Sequence, residues 1–422
     1  MQKIVIEGGR PLRGDISISG AKNSALPILF SSLLADGPCQ LHNIPSLRDI
    51  ETTLKLLENL GATVESSKKK SAPMILSAHK LRHFEAPYDL VRTMRASVLV
   101  MGPLLAKYGQ ARVSLPGGCA IGARPINLHL KAFEDMGAKI DIEGGYVNLK
   151  AKKLHGARIR FDTITVTGTE NILMAATLAK GQTVLENAAR EPEIIDLAIA
   201  LNKMGAKISG AGTETLIIEG VDSLSGCEHT IIPDRIETGT FMMAAAITGG
   251  SLRIKNGEPS TIEALKSKLE ECGVKIHAEG NDILVEAPKT IKAVDVATAP
   301  YPGFATDFQA QFMALMTTAH GTSVMTESIF ENRFMHALEL TRMGADIKVE
   351  GHVAIVKGVK KLSGAPVMAS DLRASAALIL AGLAAEGVTE VHRIYHIDRG
   401  YERIEKKLRQ LGARIKRTKV KY

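Results

Sequence analysis

A thiol, a lysine, an aspartate and a set of arginines carry the chemistry this sequence can offer. Cys119 stands in LPGGCAIGARP (residues 115–125), flanked by Gly117, Gly118 and Gly122, with Arg124 five residues on. Most free cysteines are small buried hydrophobes, but a polar, glycine-rich loop is a poor place to bury one, so Cys119 reads as a functional thiol. Lys22 opens the segment KNSALPILF, where Asn23 or Ser24 can cap a helix and Pro27 is tolerable in its first turn. It is either an exposed lysine at a helix start or part of an anion site beside helix N–H groups. Asp307, in TDFQAQF, is either a cap or first-turn acid, or a general base aimed at a substrate hydroxyl. Arg95, Arg333, Arg373 and Arg399 fall at unit junctions. Each can be a lone ion-pair partner, yet together they suit a substrate carrying phosphate and carboxylate, which guanidinium forks bind bidentately.

Composition narrows the chemistry. The chain has 422 residues, a net charge of +8, 45% hydrophobic residues and no Trp. Its longest apolar stretches, residues 98–106 and 376–385, fall short of the ~20 residues needed to span a bilayer, and MQKIVIEGG turns polar too soon for a signal peptide. A cytosolic globular protein of two or three domains is expected. Aromatics are only 4% and the basic residues are dispersed, so base-stacking platforms for nucleic acid are scarce. The basic end KKLRQLGARIKRTKVKY reads as a solvated chain terminus. Cys39, Cys227 and Cys272 sit in strand or helix-end contexts and read as structural. No His/Cys/carboxylate cluster has metal-ligand spacing, and no Walker A loop, H-E-x-x-H or G-x-S-x-G occurs.

The elements that must position these groups repeat six times. LENLGATV, FEDMGAKI, LNKMGAKI, LEECGVKI, LTRMGADI and LRQLGARI place a glycine between an amphipathic stretch and a strand-like run. Those glycines are Gly61, Gly137, Gly205, Gly273, Gly344 and Gly412, spaced 68 to 76 residues apart. A helix that ends in a left-handed glycine and turns at once into a strand explains the pattern. A second helix precedes each of them, apolar nearly all round and therefore buried, as in TGTFMMAAAITGG and SAALILAGLAAEG. Each repeat reads as helix–strand–helix–strand, and six make two pseudo-symmetric groups of three around buried helices, with a cleft expected between them. The first lobe is expected over residues 22–231. The second takes residues 1–21 plus 232–422, because the strand KIVIEG lacks a partner in the first unit.

In chain order, SGAKNSALPI, LPGGCAIGARP, AAREPEIID, PDRIETGTF, FATDFQAQF, ENRFMH, SDLRASAAL and YHIDRGYERIE resemble the enolpyruvyl transferases that act on UDP-N-acetylglucosamine, nearly end to end. The resemblance implies an inside-out α/β barrel fold with two domains of three repeats each. It also implies transfer of the enolpyruvyl group of phosphoenolpyruvate to the 3'-hydroxyl of UDP-N-acetylglucosamine, a committed step of peptidoglycan synthesis. Cys119 would be the general acid, the thiol that forms a covalent phosphoenolpyruvate adduct and the target of fosfomycin-type epoxides. Asp307 would be the base near the sugar hydroxyl. Lys22, Arg124 and Arg399 would hold phosphate, with Arg333 and Arg373 on the carboxylate side. Asn23, Arg95, Arg124, Pro125, Ile126, Asn127, Leu128, Ile329 and Asp371 would complete the substrate site, and no metal, organic cofactor, nucleic acid or membrane partner is implied. The chain departs from the family's pattern at ITVTGTENI (164–172), at Thr163, at residues 301–303 and at Asn127. An enolpyruvyl transferase for shikimate 3-phosphate and a non-catalytic UDP-sugar-binding paralogue are the alternatives; the PGGC loop and DRGYE argue against the first, the intact Lys22, Cys119, Asp307, Arg373 and Arg399 against the second.

Overall fold

A computed structural model describes residues 2–66, 72–78, 81–115 and 126–419. Cys119, Arg124 and Pro125, singled out above, lie outside the described residues. The helix–glycine–strand pattern is met at all six glycines. All six have positive φ, from +91° to +107°, and each follows a helix: Arg48–Leu60, Asn127–Asp135, Pro192–Lys203, Glu263–Glu271, His336–Arg342 and Ile404–Gln410. At +107° a side chain would be strained, so Gly61 reverses the chain where its N–H caps the Leu57 and Glu58 carbonyls. Two residues later each chain enters a strand, the first Thr63–Glu65 and the last Arg414–Lys419.

Among the described residues the strands form six four-stranded sheets built to one plan. Arg158–Arg160 runs parallel to Gln182–Glu186, which is antiparallel to Thr215–Glu219, which is antiparallel to Lys207–Ser209. Each repeat is thus helix–strand–helix–strand with one further return strand and a parallel edge strand. In the last sheet the chain's own beginning replaces the return strand. Gln2–Glu7 lies between Val388–His392 and Arg414–Lys419, antiparallel to both.

By internal contacts the chain forms two compact units: one of residues 2–19 and 233–419, the other of residues 20–115 and 126–232. Each holds its own apolar core and three core helices. In the first unit these are Arg235–Thr248, Thr306–Met316 and Leu372–Ala384, packed on one another. The second unit has Lys22–Ser31, Met101–Tyr108 and Val166–Ala176. Strands around them alternate buried and exposed residues, so each unit carries its helices inside and its sheets outside, the inside-out α/β arrangement expected. Phe312 is fully buried, its ring edge-on to Phe304 at 5.4 Å between centroids. Among the described residues no helix is long and apolar enough to cross a membrane.

Two local readings are corrected. The helix Lys22–Ser31 is capped by Ala21, with no side-chain cap bond, and not by Asn23 or Ser24. Ser24 is buried, and its hydroxyl bonds instead to Asp196, far along the chain. Pro27 is the sixth helical residue, past the first turn; lacking an N–H, it leaves the Asn23 carbonyl out of the helix ladder. The basic chain end is also not simply solvated. Arg417 donates to both carboxylate oxygens of Asp398, at 2.9 and 2.6 Å, and to Glu405 at 3.2 Å.

Close approach of two core helices in the second unit depends on Gly102. A methyl group there would lie 2.4 Å from the Asn171 carbonyl oxygen and 2.6 Å from Asn171 Oδ1. Gly102→Ala should therefore destabilise the protein by roughly 1–3 kcal/mol, although alanine is the better helix former. A urea midpoint unchanged by the substitution would contradict this packing.

Candidate active site

In the first unit the polar residues gather at the N-terminal ends of the core helices. Asp307 lies in the first turn of Thr306–Met316, without capping it. Its two oxygens reach two guanidiniums: Oδ1 accepts from Arg333 Nη2 at 2.8 Å and Oδ2 from Arg373 Nη2 at 2.7 Å. Arg333 and Arg373 are only 4% and 5% exposed. Burial works against the charge on Arg373, but Asp307 outweighs it and holds the guanidinium firmly protonated. Asp307 is thus both a first-turn acid and the centre of an arginine fork.

Asp371 organises the start of Leu372–Ala384. One oxygen caps the helix, accepting from the Arg373 and Ala374 amides at 2.9 and 3.1 Å, and Ser370 donates to the other. Burial pushes this carboxyl up; the Arg333 charge and the Ala374 amide push it down and prevail, so it stays below the usual carboxylate range. Ile329 sits on a turn fixed by buried Glu327, which accepts from the Ile329 amide and from the hydroxyls of Thr298 and Thr306. That ties the Ile329 turn to the helix bearing Asp307. Arg399 is half-buried in the short 3-10 turn Ile397–Arg399, whose Asp398 is held by Arg417.

The second unit presents a different group. Lys22 is the first residue of its helix, and its Nζ lies 3.4 Å from Asp49 Oδ2, an acid in the first turn of Arg48–Leu60. Asn23 follows it, half-buried. Buried Asp196 steadies the start of this helix: it accepts from Ser24, pairs with His229 Nε2 at 2.8 Å and takes the Ile232 amide at 3.3 Å. Arg95 opens the turn Arg95–Val100. Ile126, buried, precedes the helix on which Asn127 is exposed and Leu128 half-buried.

His129, next on that helix, was not picked out from the sequence. The Asn171 amide nitrogen, 3.1 Å from Nδ1, can only donate, so Nδ1 accepts and the ring proton sits on Nε2, 3.3 Å from the Thr167 hydroxyl. Burial first, and then the Arg95 charge, push His129 down to about 4, so the ring is neutral. Asn171 is itself pinned by the Gly102 amide and the Val98 carbonyl. Glu170 precedes it in the segment where the chain departs from the family's pattern. Burial, with Glu193 and Glu191 nearby, pushes its carboxyl well above the usual range. His129 and Asp196 gave no local signal, since their side-chain partners lie tens of residues or more away.

Two units with sheets outside and polar helix ends, one of them built around a carboxylate between arginines, define a class rather than a single protein. Residues 6–408 match the family profile of EPSP synthase (3-phosphoshikimate 1-carboxyvinyltransferase), and the chain belongs to this family of enolpyruvyl transferases. Within it, the chain is 62% identical over 419 residues to a Geobacter metallireducens protein named UDP-N-acetylglucosamine 1-carboxyvinyltransferase, covering 99% of this chain and 100% of that one. A Myxococcus xanthus protein of the same name is 58% identical, with 100% of both chains covered. In structure the chain resembles the enolpyruvyl transferase NikO from Streptomyces tendae, at a TM-score of 0.89 and 26% identity over 99% of each chain. EPSP synthase from Acinetobacter baumannii, at 0.76 and 19% identity over 99% of this chain and 100% of that one, shares the fold.

The neutral state of His129 has a consequence for stability. Its ordinary value is 6.5 and its folded value about 4. Between these the unfolded chain takes up a proton that the folded protein refuses. This contribution is fully present above pH 6.5 and is lost as pH falls toward 4. His129→Gln should therefore show a weaker pH dependence of its denaturation midpoint across that window than the unsubstituted protein; an identical slope would contradict the buried, neutral ring.

Proposed function

We propose that this chain transfers the enolpyruvyl group of phosphoenolpyruvate to the 3'-hydroxyl of UDP-N-acetylglucosamine, releasing phosphate. The observation that carries this reading is 62% identity along the whole length of a relative bearing that activity's name. The charge distribution supports it. Phosphoenolpyruvate brings roughly three negative charges, and an anion of that kind calls for preorganised cations. Lys22, Arg124 and Arg399 serve its phosphate, and Arg333 and Arg373 its carboxylate side. Asn23, Arg95, residues 124–128, Ile329 and Asp371 line the nucleotide-sugar site.

The reaction runs as addition and elimination. Cys119 gives its proton to the methylene carbon, C3, of phosphoenolpyruvate. The sugar hydroxyl adds to C2 as Asp307 takes its proton, and a tetrahedral adduct bearing phosphate forms. A C3 proton then passes to the Cys119 thiolate, phosphate leaves C2 with the proton held by Asp307, and the enol ether forms. The same thiol can also add across the double bond, its sulfur bonding to C2 as its proton goes to C3, which gives a covalent adduct with phosphoenolpyruvate. Both substrates are polyanions that do not cross a bilayer unaided, which supports a cytoplasmic reaction at the entry to peptidoglycan synthesis.

Phosphate release from phosphoenolpyruvate tests this directly. It should require UDP-N-acetylglucosamine, should not occur with shikimate 3-phosphate, and should fall by about 10²–10⁴-fold in Cys119→Ser, the range a lost general acid gives. Release with shikimate 3-phosphate alone would reassign the acceptor.

A further inference from the structure

Tyr401 lies two residues beyond Arg399 and is only 2% exposed. A buried phenol has to place its O–H on an acceptor. Thr240 Oγ1 is 2.8 Å away and has already given its own hydrogen to the Ile236 carbonyl at 2.7 Å. The Tyr401 proton therefore goes to Thr240, and the lone pairs of the phenol face two donors, Gln311 Nε2 at 3.2 Å and Arg373 Nη1 at 3.3 Å. One hydroxyl thus gathers a residue from each of the first unit's three core helices, Arg235–Thr248, Thr306–Met316 and Leu372–Ala384.

The geometry of Arg373 gives this junction its meaning. A guanidinium is planar and rigid, so fixing one nitrogen fixes the others. With Nη1 on Tyr401, Nη2 falls on Asp307 Oδ2 at 2.7 Å. The tyrosine ring also lies beside the guanidinium, its centroid 5.7 Å from Arg373 Cζ. Gln311 closes the circuit by donating to the backbone carbonyl of Asp307 at 3.0 Å. Burial raises the phenol above its ordinary value, so it stays neutral and keeps its accepting lone pairs toward Arg373.

We propose that Tyr401 is a positioning residue for the reaction: its hydroxyl sets the Arg373 guanidinium so that Asp307 is presented to the sugar hydroxyl in the reactive orientation. This rests on the function proposed above. Tyr401 touches no substrate and acts through Arg373.

The test is a kinetic double-mutant cycle of Tyr401→Phe and Arg373→Lys, with thermal midpoints recorded for every variant. Tyr401→Phe keeps the ring and removes only the hydroxyl. Its kcat should fall by roughly 10- to 100-fold, the scale of a small misplacement, while KM for both substrates changes less than about threefold. In the Arg373→Lys background the same change should cost less than about twofold, because the group it positions is gone. A folded Tyr401→Phe with unsubstituted kcat, or a loss that multiplies in full with Arg373→Lys, overturns the proposal. Should Tyr401→Phe not fold, Thr240→Val, which removes the acceptor of the phenol proton, must lower kcat in the same way; unchanged turnover there overturns it equally. Unsubstituted protein that releases no phosphate with UDP-N-acetylglucosamine refutes the functional reading itself, whereas active protein with an indifferent Tyr401 refutes only this inference.

Discussion

Asp307 carries a guanidinium on each of its oxygens, and much of the first unit is arranged so that this is possible. Arg333 arrives from the segment before one surface helix, Arg373 from the first turn of a core helix, and both are nearly buried. Charges taken out of water are costly unless paired and hydrogen-bonded, and removing one partner of such a set costs on the order of 3–5 kcal/mol. The core helices meet this constraint by being polar at their N-terminal ends and apolar around the rest. Asp234 and Asp371 cap two of them and Asp307 lies in the first turn of the third; their later turns hold Phe241, Phe312 and Leu380.

The same frame is solved differently in the second unit. There the polar junctions include Asn171 with His129, Asp196 with Ser24 and His229, and Lys22 with Asp49. Near the points where the chain passes from one unit to the other, each unit buries an acid. Asp196 takes the Ile232 amide in one, and Glu237 takes the Ser19 amide and Lys407 in the other. A scaffold repeated six times thus carries polar ends that are not repeated.

What could be read from the sequence follows the range of the interaction. The glycine after each surface helix is a local requirement, met within five residues, so all six were visible as a spacing. The apolar core helices were visible because burial on every side leaves no polar stripe, even in Met101–Tyr108, short and interrupted by Pro103. Side-chain partners were not visible. Ser24 has the residue type of a cap, but a buried aspartate 172 positions away claims its hydroxyl. Arg417 looked like part of a solvated tail, and only the sheet that joins both chain ends brings it to Asp398. For the site, Lys22, Asp307, Arg333, Arg373 and Arg399 could be named from motifs, yet the pairing of Asp307 with two arginines, and the part of Tyr401 in it, required the fold.

The measurement that bears most directly on the account is turnover of Asp307→Asn, an exchange that keeps the shape and removes the charge and the basicity. If Asp307 takes the proton of the sugar hydroxyl, phosphate release should fall by about 10³-fold, within the range of general base catalysis, while calorimetry shows UDP-N-acetylglucosamine bound within a few-fold of its original affinity. Turnover within about tenfold of the unsubstituted protein would contradict the assignment, and would mean that the carboxylate between Arg333 and Arg373 serves the fold alone.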